Sequence, residues 1–233
     1  MKKIIILSLF LYCALGGQSN KWTETLIYNA YFGGIYVAEG QLKIDVQNTG
    51  GDSVIHILFQ AKTKSVADYI FPINDKINID VNSKRWTPKS IKKVIREGEY
   101  QHDSFTQLFP EKNILIYKND TISYVPPVYD PYSLIYLFRK KTLISGNNFQ
   151  FNIIDGGKIT LLQFDVSPVE KIRIPMGEYN TVKVMPMRTD GKSFKNAGQL
   201  TIWYSTENIN KIPVKINIKL KFGSLKLELA RII

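Results

Sequence analysis

Apolar and polar residues alternate along most of this chain, so that every second side chain is apolar. In the segment GQLKIDVQ, Leu42, Ile44 and Val46 share one face and the polar residues share the other. The alternation recurs in the segments VIHILFQAKT, KINIDVN, KNILIYKN, QLTIWYS, PVKINIKLKF and SLKLELARII. A β-strand that buries one face and exposes the other has this pattern. We therefore predict about a dozen strands.

Turn-forming residues separate these strand segments. The segments NTGGD at 48–52, DGG at 155–157 and MGEYN at 176–180 are typical of hairpin loops, and TENIN at 206–210 is a looser connection. Turn signals about ten residues apart are typical of an antiparallel meander. Strands and helices do not alternate regularly along the chain, as they would in a parallel sheet. We predict one β-rich domain over 17–233, built as a large curved antiparallel sheet, a half-open barrel or a sandwich.

One segment has helical rather than strand periodicity. Asp130 can accept hydrogen bonds from the first free backbone N–H groups of a helix, and Pro131 suits its first position. The apolar face at helical spacing comprises Leu134, Ile135, Leu137 and Phe138. Basic residues follow, where the helix dipole favours cations. Because a helix of about ten residues is marginal alone, we predict a central helix over about 130–141, held on the concave face of the sheet as a lid or plug.

The first residues have the composition of an export signal. Two lysines precede the apolar segment IIILSLFLYCALGG, in which Ala14 and Gly16 suit the −3 and −1 positions of a cleavage site. The apolar segment is shorter than the ~20 residues that a membrane-spanning helix needs, and polar residues follow at once. We predict a signal peptide over 1–16, cleaved within 16–19. The mature protein would then be exported.

The only cysteine, Cys13, lies inside this leader. Bulky residues precede it, whereas small residues precede a lipidated cysteine, so lipidation is the weaker interpretation. The mature chain would then contain no disulfide, no thiol nucleophile and no cysteine-based metal site.

The formal net charge is +11, to which Lys2 and Lys3 of the leader contribute. The basic residues are scattered, and several alternate with apolar residues as on the solvated face of a sheet. A basic exported protein encounters anionic lipid headgroups or polysaccharide, and no nucleic-acid-binding motif is present. The expected partners are a lipid or amphipathic small molecule, another envelope protein or an anionic membrane surface, and not a nucleic acid.

Three stretches together span nearly the whole mature chain. They are YFGGIYVAEGQL from Tyr31, DPYSLIYLFR from Asp130, and GEYNTVKV from Gly177 with LTIWYSTENINKIPV from Leu200. In this order they resemble the domain of unknown function 3108 family, which comprises exported bacterial proteins of β-rich structure. The family often has an acid shortly after its W-x-S motif, and here the nearest acid is Glu207. The resemblance implies a location in the periplasm or cell envelope of a bacterium. It also implies a curved sheet beside a helix, similar to the periplasmic lipoprotein-carrier fold that binds acyl chains there, and it implies no reaction.

An apolar groove between helix and sheet is the candidate ligand site. Its expected lining is Leu134, Leu137, Phe138 and Trp203, with Asp130 and Pro131 capping the helix. The competing interpretation is a filled core in which the aromatic residues pack across strands. We expect a non-enzymatic module that binds a hydrophobic or amphipathic ligand. The alternative is a scaffolding or assembly protein that contacts envelope components through sheet edges and a basic face.

Motifs for catalysis or metal binding are missing from the sequence. There is no G-x-S-x-G or helical S-x-x-K, and no glycine-rich loop has the length of a P-loop. His56 falls on the polar face of a strand. In the acidic segment EGEYQHD, a continuous strand would point His102 away from Glu97, Glu99 and Asp103, so we expect no metal site. We expect no cofactor and no enzymatic activity; a hydrolase built on two carboxylates is the third hypothesis.

Overall fold

The computed structural model describes residues 22–49, 52–64, 66–189, 199–207, 210–220 and 223–233. The predicted signal peptide and Cys13 lie outside these residues. The helices are α1 (Val66–Ile70) and α2 (Pro131–Arg139), with a 3-10 turn at Pro110–Lys112. The strands are β1 (Trp22–Phe32), β2 (Ile35–Thr49), β3 (Asp52–Thr63), β4 (Asn74–Asn82), β5 (Pro88–Glu97), β6 (Tyr100–Phe109), β7 (Ile114–Tyr117), β8 (Asp120–Ser123), β9 (Val128–Tyr129), β10 (Asn148–Asp155), β11 (Lys158–Val166), β12 (Glu170–Ile174), β13 (Gly177–Arg188), β14 (Gln199–Ser205), β15 (Pro213–Leu220) and β16 (Gly223–Ile232).

The sixteen strands form one sheet, which confirms the mostly β fold. Their order is β8-β7-β6-β5-β4-β3-β2-β1-β16-β15-β14-β13-β11-β10-β9, and β12 pairs with β13. The pairs are antiparallel except for β9 with β10, which is parallel. Two meanders spread in opposite directions from the β1–β16 ladder, which joins the first strand to the last. The predicted dozen is too few, in part because β8, β9 and β12 have only two to five residues, too short to show alternation.

The predicted alternation sets which side chains enter the core. The buried aliphatic residues of β2, β3 and β4 are Ala38, Leu42, Ile44, Ile55, Ile57, Ile77, Ile79 and Val81. On the C-terminal strands the buried members are Val214, Ile216, Leu227 and Leu229. Adjacent strands bring these side chains together on one face, because side chains alternate between the two faces of a sheet.

The sheet curls until strands from its two halves come into side-chain contact. Lys93 on β5 forms an ion pair with Asp155 at the end of β10, although these strands lie far apart in the sheet order. Tyr117 on β7 packs against the β10–β11 turn, where Gly157 has a φ of +74°. A Cβ at Gly157 would lie 2.5 Å from the Tyr117 ring, so only glycine allows this approach. Since the two end strands of the described sheet, β8 and β9, are not paired with each other, the curl closes here by side-chain packing.

Helix α2 lies inside the curl. It ends at Arg139, with Lys140 at its C-terminal cap, two residues before the predicted end at 141. Its central residues are buried, and two tyrosine hydroxyls join it to both halves of the sheet. The Tyr136 hydroxyl donates to the carbonyl of Leu42 on β2 (3.4 Å), and the Tyr204 hydroxyl of β14 donates to the carbonyl of Ile135 (3.1 Å).

The short helix α1 was not predicted from the sequence. It spans five residues in the connection between β3 and β4 and buries none of them. A segment this short offers no helical periodicity to recognise. Across the described residues, neither helix has the length and hydrophobicity needed to cross a membrane.

Candidate functional site

Two cavities flank α2 inside the curled sheet. The upper cavity, of about 360 Å³, lies between α2 and strands β10, β11, β13 and β14. The lower cavity, of about 730 Å³, lies where α2 ends, beside β2, β3 and the β4–β5 connection. Both volumes fall in the range of small-molecule sites, about 300–1,000 Å³. The space between helix and sheet is therefore not completely filled by the core.

The upper cavity has an apolar wall and a charged rim. Its apolar wall comprises Leu134, Phe138, Ile153, Leu162, Phe164 and Ile202. Asp155 and Lys158 contribute charged side chains at the β10–β11 turn, and Arg188 contributes one from β13. This arrangement suits a mainly apolar ligand whose polar end reaches the rim.

Phe138 is both a wall of the upper cavity and the main anchor of α2. Its side chain is 1% exposed. Its ring packs against those of Phe149, Phe151, Phe164 and Tyr204, with centroids 5.2 to 6.2 Å away. Edge-to-face and tilted packing of this kind adds to the free energy gained by burial.

The structure brings together only part of the predicted ligand set. Leu134 and Phe138 both line the upper cavity. Leu137 is buried in the core and lines neither cavity. These three side chains lie on one short helix, and their positions around its axis separate them.

Trp203, expected in the same groove, lies on the opposite face of β14. Its neighbours Ile202 and Tyr204 point inward, to the upper cavity and to α2. The Trp203 indole N–H donates to Glu170 on β12 (2.5 Å), and Lys215 lies over its ring at 5.6 Å. Both faces of β14 carry apolar residues, so the sequence did not show which face is inward.

Asp130 and Pro131 begin α2. The Asp130 Oδ1 atom accepts hydrogen bonds from the backbone N–H groups of Tyr132 and Ser133, both at 2.9 Å. Pro131 occupies the first turn, where its missing N–H leaves no bond unmade. Burial raises the pKa of the Asp130 carboxyl, and the hydrogen bonds from Ser133 and Tyr132 oppose that rise only in part. Asp130 thus sets the start of the helix from a position that is 1% exposed.

The lower cavity was not predicted from the sequence. Its apolar floor and walls comprise Trp22, Ile44, Val46, Ile55, Trp86 and Tyr136. Its remaining lining includes Arg139, Lys140 and Lys211. The sequence signal was the basic end of the helix, which was interpreted only as a complement to the helix dipole. The aromatic and aliphatic residues come from distant segments, and only the curl places them around that end.

Arg139 connects the end of α2 to the sheet. Its guanidinium forms a two-pronged ion pair with the Glu24 carboxylate of β1, and these side chains are 9% and 13% exposed. Arg139 Nε also donates to the carbonyl of Asn210 (2.8 Å), and the guanidinium lies over the Tyr136 ring. Burial alone would lower the pKa of Arg139, but Glu24 outweighs it and the pKa is raised. The arginine of the DPYSLIYLFR segment is therefore a charged clamp on the helix.

Glu207, the acid nearest the W-x-S motif, has a structural contact. Its Oε1 atom accepts hydrogen bonds from the backbone N–H and the side-chain amide of Asn180, at 3.0 and 2.9 Å. It thereby fastens the connection after β14 to β13.

Two acidic side chains meet away from both cavities. Asp75 and Glu97 hydrogen-bond each other, and Asp75 also accepts from the Arg96 backbone N–H (2.9 Å). Burial raises the pKa of Asp75, and burial together with the Asp75 charge raises the pKa of Glu97. Carboxylates that flank a scissile glycosidic bond stand about 5 Å or more apart. Because Asp75 and Glu97 are hydrogen-bonded to each other, no substrate fits between the two carboxyl groups.

The histidines and acids do not form a metal centre in the part of the chain that the structure describes. His56 pairs with Asp80 at 2.6 Å. The segment 97–103 is a hairpin and not the single strand assumed for it, so Glu97 and Asp103 lie on different strands. The turn residues of this segment signal that hairpin in hindsight.

These features define the class: a β-rich protein whose single curled sheet encloses a short helix and leaves a cavity on either side of it. The sequence matches the family model described as protein of unknown function (DUF3108) over residues 27–230. The chain therefore belongs to the DUF3108 family, which confirms the resemblance of its three motif stretches.

A solved structure has a similar fold. It is the crystal structure of a beta-barrel-like protein of domain of unknown function DUF1849 from Brucella abortus. The two chains superpose with a TM-score of 0.54 over 90% of this chain and 96% of that chain, at 9% sequence identity. Identity this low shows a likeness of fold alone. Among curated proteins, none matches the sequence.

Proposed function

We propose that this protein is an exported envelope protein that binds a hydrophobic or amphipathic ligand between its sheet and α2, without catalysing a reaction. The observation that carries the proposal is the upper cavity of about 360 Å³ beside Leu134 and Phe138. A cavity with an apolar wall and a few charged groups at its rim is typical of a small-molecule site. The positive-charged, apolar leader supports export.

A matched pair of variants on β11 tests ligand binding. Leu162 faces the upper cavity, whereas its neighbour Leu161 is exposed on the other face of the strand. We expect Leu162→Trp to weaken binding of a fluorescent acyl probe at least about tenfold, because the indole occupies the cavity. Leu161→Trp should bind the probe as wild type does. Equal binding by both variants would contradict a site in this cavity.

Native mass spectrometry provides the direct test. Protein purified from the membrane fraction of its host should carry a bound small molecule that is lost on denaturation. Bare polypeptide in every preparation, with no acyl probe bound, would overturn the proposal. Amino-terminal sequencing of the same protein should find a start shortly after residue 16, and an uncleaved leader would contradict export by this signal.

A second candidate function is assembly with another envelope protein. Exposed apolar residues gather at neighbouring hairpin ends, namely Ile35 after the β1–β2 turn and Val66, Tyr69 and Ile70 in α1. Tyr69 is 92% exposed, and such patches often mark protein interfaces. If assembly is the function, changing Tyr69 and Ile70 to serine should abolish recovery of one defined partner from envelope extract. Recovery equal to wild type would remove this candidate.

A further inference from the structure

The lower cavity combines an apolar interior with cationic side chains. Ile44, Val46 and Ile55 supply aliphatic surface from β2 and β3, and Trp22 and Trp86 add aromatic surface. Its volume of about 730 Å³ is twice that of the upper cavity. Such a surface holds an apolar chain by removing it from water.

Two lysines at this cavity have no carboxylate partner among the described residues. Arg139 is neutralised by Glu24. The Lys140 ammonium lies 5.2 Å from the centre of the Trp86 ring, and the Lys211 ammonium donates to the carbonyl of Arg139 at 3.4 Å. The end of α2 contributes roughly half a negative charge, less than the two positive charges of the lysines. The cavity is therefore cationic at the end of the helix.

Backbone strain is concentrated at the same cavity. Outside glycine, the described backbone has a positive φ at Trp86, Asn113, Lys118 and Lys211, and two of these four line the lower cavity. Trp86 has a φ of +59° and Lys211 a φ of +42°. A bulky residue rarely adopts this conformation, and it persists where the surrounding structure enforces it, often at ligand clamps.

We propose that the lower cavity binds an amphiphile with an anionic head, whose apolar chain lies along Ile44, Val46 and Ile55. The head, a carboxylate or phosphate, pairs with Lys140 and Lys211. The inference rests on the proposed function, in that it also places a ligand between sheet and α2, but it assigns a different cavity and a ligand class. The aliphatic floor favours an acyl chain over a sugar, whose hydroxyls need polar partners.

The test compares three probes by calorimetric titration: hexadecanoate, hexadecanol and inorganic phosphate. Wild type should bind hexadecanoate more tightly than hexadecanol, and phosphate only weakly. Changing both Lys140 and Lys211 to glutamine should weaken hexadecanoate binding about tenfold and leave hexadecanol unchanged. The matched control changes Lys112 and Lys118, which are exposed and remote from the cavity, to glutamine and should bind all three probes as wild type does.

The apolar floor is tested by filling it. Ile55→Trp should weaken binding of both long-chain probes, and Ser83→Trp, at a half-buried lining position, should do the same if the first variant fails to fold. Equal binding of hexadecanoate and hexadecanol with no effect of the lysine changes would overturn the anionic class. Tight binding of phosphate that Ser83→Trp does not weaken would show a bare anion site and overturn the amphiphile.

A comparison of the two cavities separates this inference from the proposed function. If Leu162→Trp abolishes hexadecanoate binding and neither Ile55→Trp nor Ser83→Trp weakens it, the lower-cavity assignment fails and the proposed function stands. If wild type binds neither long-chain probe, both fail.

Discussion

Replacing Arg139 with methionine removes the guanidinium that fastens the end of α2 and keeps most of its apolar stem. The change deletes both prongs of the ion pair with Glu24 and the hydrogen bond to the Asn210 carbonyl at 2.8 Å. The Glu24 carboxylate, which is 13% exposed in the intact pair, would then lie beside an apolar side chain without an ionic partner. The expected effect is a large loss of folding stability caused mainly by that unpaired charge.

The magnitude follows from the burial of the pair. Breaking a buried ion pair from one side costs about 3–5 kcal/mol. Because Glu24 retains some exposure, we take the lower end of this range, about 3 kcal/mol. The lost hydrogen bond to the Asn210 carbonyl adds about 1 kcal/mol. Arg139→Met should therefore lower the free energy of unfolding by about 4 kcal/mol. The double variant with Glu24→Gln should cost about 2 kcal/mol less than the sum of the two single changes, because it leaves neither charge unpaired.

Urea unfolding, followed by tryptophan fluorescence and far-ultraviolet circular dichroism, measures all four members of this cycle. The dependence of unfolding free energy on urea should stay constant, so that midpoint shifts report stability. Arg85→Met, at an exposed arginine near the same cavity, is the control and should change stability by less than about 0.5 kcal/mol. Additive single changes, or an Arg139→Met cost no larger than that of Arg85→Met, would refute the reasoning.

Three further changes probe the helix and the closure of the sheet. Asp130→Ala should cost about 2 kcal/mol in urea unfolding, because two backbone N–H groups lose their acceptor, whereas Asp130→Asn keeps the cap. Because burial raises the pKa of Asp130, wild type should lose stability relative to Asp130→Asn as the pH rises from about 4 through that raised pKa. Phe138→Ala should cost about 3–5 kcal/mol by the same assay, since four aromatic rings lose their contact. Gly157→Ala should cost about 1–3 kcal/mol, measured as a lower melting temperature, through its positive φ and its contact with Tyr117.

Each of these three changes has its own contradicting result. Asp130→Ala and Asp130→Asn of equal stability would show that the cap bonds do not hold the helix. A cost for Phe138→Ala below about 1 kcal/mol would mean that its aromatic neighbours repack without it. If Tyr117→Leu does not recover part of the Gly157→Ala loss, the turn does not pack against β7 as described.

The start of α2 was predictable because its determinants are adjacent in sequence. Asp130 and Pro131 act on the next few backbone groups, and the apolar spacing after them is helical. The end was predicted two residues late, since the basic residues that follow Arg139 suit a helix end whether or not they belong to the helix. The long alternating strands β2, β3, β15 and β16 were predictable for the same reason, whereas β8, β9 and β12 are too short to show a period.

The candidate site was only partly predictable. Leu134 and Phe138 face a cavity because the apolar face of an amphipathic helix turns toward the sheet. The prediction that Trp203 lines the groove beside α2 was wrong. Alternation assigns Trp203 and Ile202 to opposite faces of β14 but does not say which face is turned toward the helix. The position of α2 answers that question, because the hydroxyl of Tyr204, on the same face as Ile202, donates to the carbonyl of Ile135 in α2.

The sequence by itself determined the β-rich class, the family and the capped helix. These depend on periodicity, motif order and bonds between near neighbours, all of which are present in the chain before it folds. The tertiary structure decided how far the sheet curls, which face of each strand is inward and that Arg139, Lys140 and Lys211 meet aliphatic residues of β2 and β3. Those relations arise from contacts between residues far apart in the chain, as in the closure of Gly157 on Tyr117. Their energies depend on packing in three dimensions, which no local pattern records.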